Sequence, residues 1–174
     1  GITQPETSLA APAIQIRNLQ LGEDWIAQNF GRVFVPHTAW QSDAFGTSAI
    51  FPAFLAQANI PYLYLGRGPG RCAPNDPSCT PLPQLFYWMS PASNARVLVA
   101  NLAYPNAWDA THRIDKLDDQ VAALGKVVEA QFARTTAKYI FLPMGSDMID
   151  PDQSWVDLAE RWNAGNPKTV LVMS

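Results

Sequence analysis

At 174 residues the chain is long enough to bury one hydrophobic core, and its 48% hydrophobic and 11% aromatic content is that of a globular protein. A net charge of -3, with no basic run or basic helix face, gives no electrostatic reason to expect a nucleic-acid partner. No apolar run approaches the ~20 residues that span a bilayer, so no membrane span is expected.

Residues 2–11 read as extended and polar, with Glu6 the only charge. From Ala13 to Phe30, Ile16, Leu19, Trp25, Ile26 and Phe30 fall near helical spacing, which predicts an amphipathic helix stopped by Gly31. Val33-Phe34-Val35 predicts the start of a strand that leads to Trp40 and Asp43. An acid in the turn after a strand stands where parallel α/β folds gather their chemistry, although such an acid is commonly only a turn or cap residue. Gly46 suits a tight bend there, and Thr47 or Ser48 suits the cap of the next helix, whose body is expected to begin at Pro52. Strand alternation points Trp40 away from Asp43, toward the core. Tyr62-Leu63-Tyr64-Leu65 predicts a second strand, closed by Gly66-Arg67-Gly68.

Prolines cluster between Pro69 and Pro91 and mark an irregular connection. Within it, Cys72 and Cys79 flank Ala-Pro-Asn-Asp-Pro-Ser. Two thiols without a nearby histidine suit zinc poorly and a small-loop disulfide better, and a disulfide implies an oxidising compartment: secreted, periplasmic or lysosome-like. Two unpaired thiols are the plain alternative. Leu85 to Met89 and Arg96 to Ala100 flank the turn Pro91-Ala92-Ser93-Asn94, a hairpin signature. His112 is expected in a loop after it. Asp115 to Thr135 predicts the longest helix, with Leu117, Val121, Leu124, Val128 and Phe132 on one stripe. Tyr139 to Leu142 reads as a buried strand running into Pro143-Met144-Gly145-Ser146-Asp147. Asp150-Pro151-Asp152-Gln153 reads as a cap with Pro at the first helical position, before a helix from Asp152 to Asn163. Thr169 to Met173 is a final predicted strand.

Strands alternating with helices imply an α/β fold with a mostly parallel sheet, here with an inserted hairpin. The chain opens on a helix with no preceding strand and closes on a strand with no covering helix. The expectation is a single α/β domain over residues 1–174 that is an incomplete section of a larger barrel or sheet. Asp147 repeats the arrangement of Asp43: apolar strand, glycine, acid, helix. Two carboxylates on one rim are the minimum for glycoside hydrolysis, at about 5–5.5 Å for a retaining enzyme and about 6.5–9.5 Å for an inverting one.

Trp40-Gln41-Ser42-Asp43-Ala44-Phe45-Gly46-Thr47-Ser48, followed by Phe54-Leu55-Ala56-Gln57 and Leu65-Gly66-Arg67, resembles the α-mannosidases of glycoside hydrolase family 38, which carry Trp-x-x-Asp-Pro-Phe-Gly-His-Ser, a helix, and a strand ending in arginine. Met144-Gly145-Ser146-Asp147-Met148 is similar to the family's later Gly-[Ser/Asp]-Asp-Phe segment, and Leu85 to Ala103 to the hairpin before its substrate loop. The resemblance implies a portion of a (β/α)7-type barrel and retaining hydrolysis of α-mannosides. It implies Asp43 as nucleophile and zinc ligand, Asp147 as general acid/base, Arg67 as a contact of both nucleophile and sugar, and Trp108 and Asp109 as sugar contacts. The implied partners are a mannose-containing glycan and the remainder of the catalytic domain.

The departures are specific. The family's first-strand His-x-Asp zinc ligands have no counterpart here, and its last zinc histidine lies well beyond the Gly-x-Asp segment. Ala44, Thr47 and Met148 replace Pro, His and Phe of the signature. One zinc ligand, Asp43, is therefore expected in a chain whose remaining ligands lie elsewhere, whereas catalytic zinc takes about three from protein. His37 shares a strand face with Asp43, but six residues at ~3.3 Å each put it roughly 20 Å away. His112 is a poor ligand candidate. Bland roles stand beside the catalytic ones: Arg67 pairing an acid across the rim, Trp108 packing a loop on the core, Asp150 and Asp152 capping a helix. Two other functions stand beside the hydrolase: a related polysaccharide hydrolase or deacetylase, and a carbohydrate-binding or structural remnant without catalysis.

Overall fold

The computed structural model describes residue 3 and residues 7–67, 82–102 and 106–173. The chain divides into two compact units, Gly1–Leu102 and Ala103–Ser174. Glu6, Cys72 and Cys79 lie outside the described residues, and with them the disulfide expectation.

The first unit contains helix α1 (Pro12–Asn29), a 3₁₀ turn (Arg32–Phe34), strand β1 (Thr38–Gln41), helix α2 (Phe51–Gln57), and strands β2 (Tyr62–Leu65), β3 (Leu85–Met89) and β4 (Arg96–Asn101). The sheet runs β1-β2-β4-β3, with β1, β2 and β4 parallel and β3 antiparallel to β4. Among the described residues it is open, with β1 and β3 at its edges. The architecture is thus mixed α/β with a mostly parallel four-stranded sheet. Alternation along the strands sends Leu63, Leu65, Val97 and Val99 to one face, where they bury against Leu19 of α1 and Phe51, Phe54 and Leu55 of α2. The other face carries Trp40, Tyr62, Tyr87 and Met89, about half exposed. Trp40 is therefore not a core residue: it stands 52% exposed and lies against Tyr64, ring centres 4.1 Å apart.

Two local expectations change. Val33-Phe34-Val35 is no strand. Residues 32–34 form the 3₁₀ turn, entered through Gly31 at φ 100°, and Val33 and Phe34 are exposed. The cause is pairing: β1 meets β2 only from Thr38 opposite Tyr62, and Pro61 precedes β2, so residues 33–35 face no ladder partner. Neither Thr47 nor Ser48 caps α2 by its side chain; the N-cap is Ile50, and the Phe51 amide donates to the Ser48 carbonyl. Pro52 falls in the first turn, where its missing N–H costs no helical hydrogen bond.

The second unit contains helices α3 (Asn106–Thr111), α4 (Leu117–Phe132) and α5 (Gln153–Gly165). The α4 stripe behaves as its spacing dictates: Leu124 and Val128 are buried, and Leu117, Val121 and Phe132 pack around them, with Leu158 and Trp162 of α5 in the same cluster. The strands expected at 139–142 and 169–173 are absent. Both segments keep the alternation, Ile140, Leu142 and Leu171 packing inward while Tyr139, Val170 and Val172 are exposed, but neither joins a ladder. Side chains of α5 take the place of a neighbouring strand. Trp162 Nε1 donates to the Thr169 carbonyl (2.6 Å), and the Asn163 amide both donates to the Leu171 carbonyl (2.9 Å) and accepts from its N–H (2.8 Å). The α5 cap also moves. Asp152, not Asp150, is the N-cap, its carboxylate accepting from the Ser154 amide at 2.8 Å, and Pro151 lies outside the helix. Helix α3 has no expected counterpart, while His112, expected in a loop, lies in the turn that directly follows it.

Candidate functional site

The carboxyl ends of β1, β2 and β4 stand level. Gln41 lies opposite Leu65, Leu65 opposite Asn101, and the pairing continues one step further as Gly66 N–H donates to Gln41 O (2.8 Å) and Leu102 N–H to Leu65 O (3.2 Å). Asp43 leaves β1 and Arg67 leaves β2 at matching positions, two residues past Gln41 and Leu65. Their side chains meet there, Arg67 Nε donating to Asp43 Oδ1. Arg67 also lies over the Phe45 ring, its guanidinium carbon 4.7 Å from the centroid. The pair is 42–43% exposed, so water screens it and it serves to orient more than to stabilise.

The close approach of the two turns depends on Gly66. A Cβ at that position would overlap the Ser42 backbone, standing 2.8 Å from both its Cα and its carbonyl carbon. The amino-terminal segment holds the same turn from the other side. Buried Thr7 donates through Oγ1 to the Gly46 carbonyl (3.2 Å) and accepts from Ser48 N–H (3.4 Å), while Gln15 of α1 donates to the Thr7 carbonyl (2.9 Å). Sequence reasoning missed Thr7, whose importance appears only through partners 39 and 41 residues away. Phe45 was legible only as part of the signature, and Gly66 as a strand terminator and a member of the Leu65-Gly66-Arg67 match.

The other expected site residues lie in the second unit. Trp108 is half-buried on α3, its indole stacked on the His112 imidazole with ring centres 3.7 Å apart and 7° between planes. Asp109 is exposed on the same helix. Asp147 is exposed in the turn before α5, beside Met148 at φ 59°. The Ala107 amide donates to the Pro143 carbonyl (3.3 Å), which ties α3 to the segment carrying Asp147. The carboxyl of Asp152 is held below the usual carboxylate range by hydrogen bonding to Ser154, side chain and then backbone.

The described residues do not fit a zinc site on their own. They contain no group of three or more His, Cys, Asp or Glu placed to hold one ion. His37 precedes β1 and Asp43 follows it, so the strand separates them. No helix among the described residues is long and apolar enough to cross a membrane.

A mostly parallel sheet with a carboxylate–guanidinium pair at its strand ends defines an α/β protein of the kind that places chemistry on that rim. The chain belongs to the glycosyl hydrolases family 38 N-terminal domain, which it matches over residues 1–173. Its fold is shared with the crystal structure of an alpha-mannosidase from Enterococcus faecalis V583, at a TM-score of 0.74 and 16% identity; the match covers 95% of this chain and 18% of that one. The chain thus spans under a fifth of the length of that relative. Comparison with curated proteins finds no match.

Proposed function

We propose that this chain contributes to the active site of a retaining glycosidase acting on α-mannosides, as a section of a (β/α)7-type barrel completed by further polypeptide. Family membership and the Asp43–Arg67 pair at the ends of two parallel strands carry the reading. The assignment of Asp147 as Asp43's catalytic partner rests on the resemblance of the Gly145-Ser146-Asp147 segment.

In this reading Asp43 Oδ attacks the anomeric carbon of mannose. The bond from that carbon to the leaving oxygen breaks as the Asp147 carboxyl gives the oxygen its proton, and a glycosyl ester forms on Asp43. Water then displaces Asp43, and its proton passes to the Asp147 carboxylate, restoring both groups. Arg67 holds the Asp43 carboxylate at a fixed angle, and Trp108 and Asp109 bind sugar. Zinc dependence is expected of the complete site, with Asp43 the one ligand supplied here.

The test is release of an aryl alcohol from an aryl α-mannoside with added zinc. The 174-residue chain alone should be inactive, and a longer polypeptide carrying the remaining zinc ligands should turn over with retention of configuration. Asp43→Asn should abolish that turnover. If Asp43→Asn left turnover intact, the nucleophile assignment would be wrong; if the longer polypeptide bound mannoside without cleaving it, the chain would be a carbohydrate-binding remnant.

A further inference from the structure

The stretch between Gln41, the last residue of β1, and Phe51, the first of α2, belongs to neither element, so no ladder or helix fixes its backbone. That stretch carries Asp43. It is gripped near its start by the close fit of Gly66 against Ser42, and at Asp43 by Arg67. Its far end meets the hydroxyl of Thr7. Thr7 Oγ1 donates to the Gly46 carbonyl and accepts from Ser48 N–H, so one side chain uses its donor and an acceptor site to brace two backbone groups. The Ser48 carbonyl in turn accepts from the Phe51 amide at 2.9 Å, which ties the braced end to the buried start of α2.

Burial singles Thr7 out. It is 1% exposed, whereas Leu9, two residues on, is 84% exposed. A hydroxyl inside and a leucine outside reverse the ordinary preference, so the hydroxyl's bonds hold this segment where apolar burial does not. Thr7 is itself anchored. Gln15 Nε2 donates to both the Thr7 and the Ala10 carbonyls, at 2.9 and 2.6 Å. Both partners only accept, so the amide cannot turn round without losing both bonds. A continuous path thus runs from α1 through Gln15 and Thr7 to the turn that presents Asp43.

We infer that Thr7 is a positioning residue whose hydroxyl, held by Gln15, sets the angle at which the Asp43–Arg67 pair stands at the rim. The catalytic consequence rests on the proposed role of Asp43; the brace itself does not. Without the hydroxyl the turn samples more angles, and a reacting carboxylate is aligned for less of the time.

Two variants test it. Thr7→Val removes the hydroxyl at nearly constant volume, and Thr7→Ser keeps it. In the 174-residue chain the Arg67 Nε–H resonance reports the pair: Thr7→Val should move it and speed its exchange with water, and Thr7→Ser should restore the parent signal. In the longer polypeptide Thr7→Val should lower kcat on an aryl α-mannoside about tenfold with KM within about twofold, and Thr7→Ser should recover most of that loss. Circular dichroism checks folding, and Gln15→Met, which frees the Thr7 carbonyl, carries the test in the same direction if Thr7→Val unfolds the chain. An unchanged Arg67 resonance in the hydroxyl-free variant, or a kcat loss that Thr7→Ser does not recover, would overturn the inference. If Asp43→Asn abolishes turnover while Thr7→Val keeps the parent kcat, the positioning role fails and the hydrolase reading stands. If the Arg67 signal responds to Thr7→Val but the longer polypeptide cleaves no mannoside, the brace stands and the hydrolase reading fails.

Discussion

Arg67 Nε donates to Asp43 Oδ1 across the ends of two parallel strands, and each residue stands two positions beyond the last paired residues, Gln41 and Leu65. Parallel pairing advances both chains at the same rise, so equal offsets from a level pair arrive side by side. An acid and a base at these offsets meet without any longer connection.

Replacing Arg67 by Met should separate orientation from stability. Both side chains are more than two-fifths exposed, so the loss measured by urea unfolding should stay below about 1 kcal/mol. Turnover of an aryl α-mannoside by the longer polypeptide should fall about 10–100-fold, because the carboxylate loses the group that orients it.

Gly66→Ala should behave oppositely, costing about 1–3 kcal/mol in urea unfolding of this chain. The added methyl would meet the Ser42 backbone, which cannot rotate away as a side chain can.

Asn163→Ala should loosen the segment 169–173. The Asn163 amide supplies both hydrogen bonds to the Leu171 backbone, so its removal should cost about 1–2 kcal/mol. Faster amide exchange at Leu171 is the direct readout.

Glu23 provides a pH test. Burial, with some help from Asp24, raises its carboxyl above the ordinary glutamate range, and one of its oxygens is buried without a hydrogen-bond partner among the described residues. A raised folded-state value favours the protonated form. That contribution is complete below the unfolded-state value and is lost as pH rises through the folded-state value. Glu23→Gln, neutral throughout, should raise the melting temperature by roughly 1–3 °C at pH 7 and by almost nothing at pH 4. A gain of equal size at both pH values would show that ionisation is not the cause.

The readings that held are those whose signal is local. The stripe Leu117, Val121, Leu124, Val128, Phe132 became the packed face of α4, Tyr62–Leu65 became β2, and the runs around Pro91-Ala92-Ser93-Asn94 became the antiparallel pair β3–β4. In each, a few consecutive residues carry the periodicity and the turn chemistry together. The Asp43 signature was likewise legible as a string, and the strand-ending Arg67 was expected from the resemblance to contact it. Arg67 had two readings of equal standing, and the parallel register of β1 and β2 favoured pairing with Asp43.

What the sequence settled unaided was the alternation of apolar and polar positions, and so which side of each segment seeks burial. Residues 139–142 and 169–173 obey that alternation and still are not strands, and 33–35 became a turn, because a strand also requires a neighbour to receive its backbone hydrogen bonds. Side-chain burial is encoded within a segment, whereas pairing is a property of two segments at once. Only the tertiary structure decides which backbones find each other, and with them which residues, such as Thr7 and Gly66, shape the turn that presents Asp43.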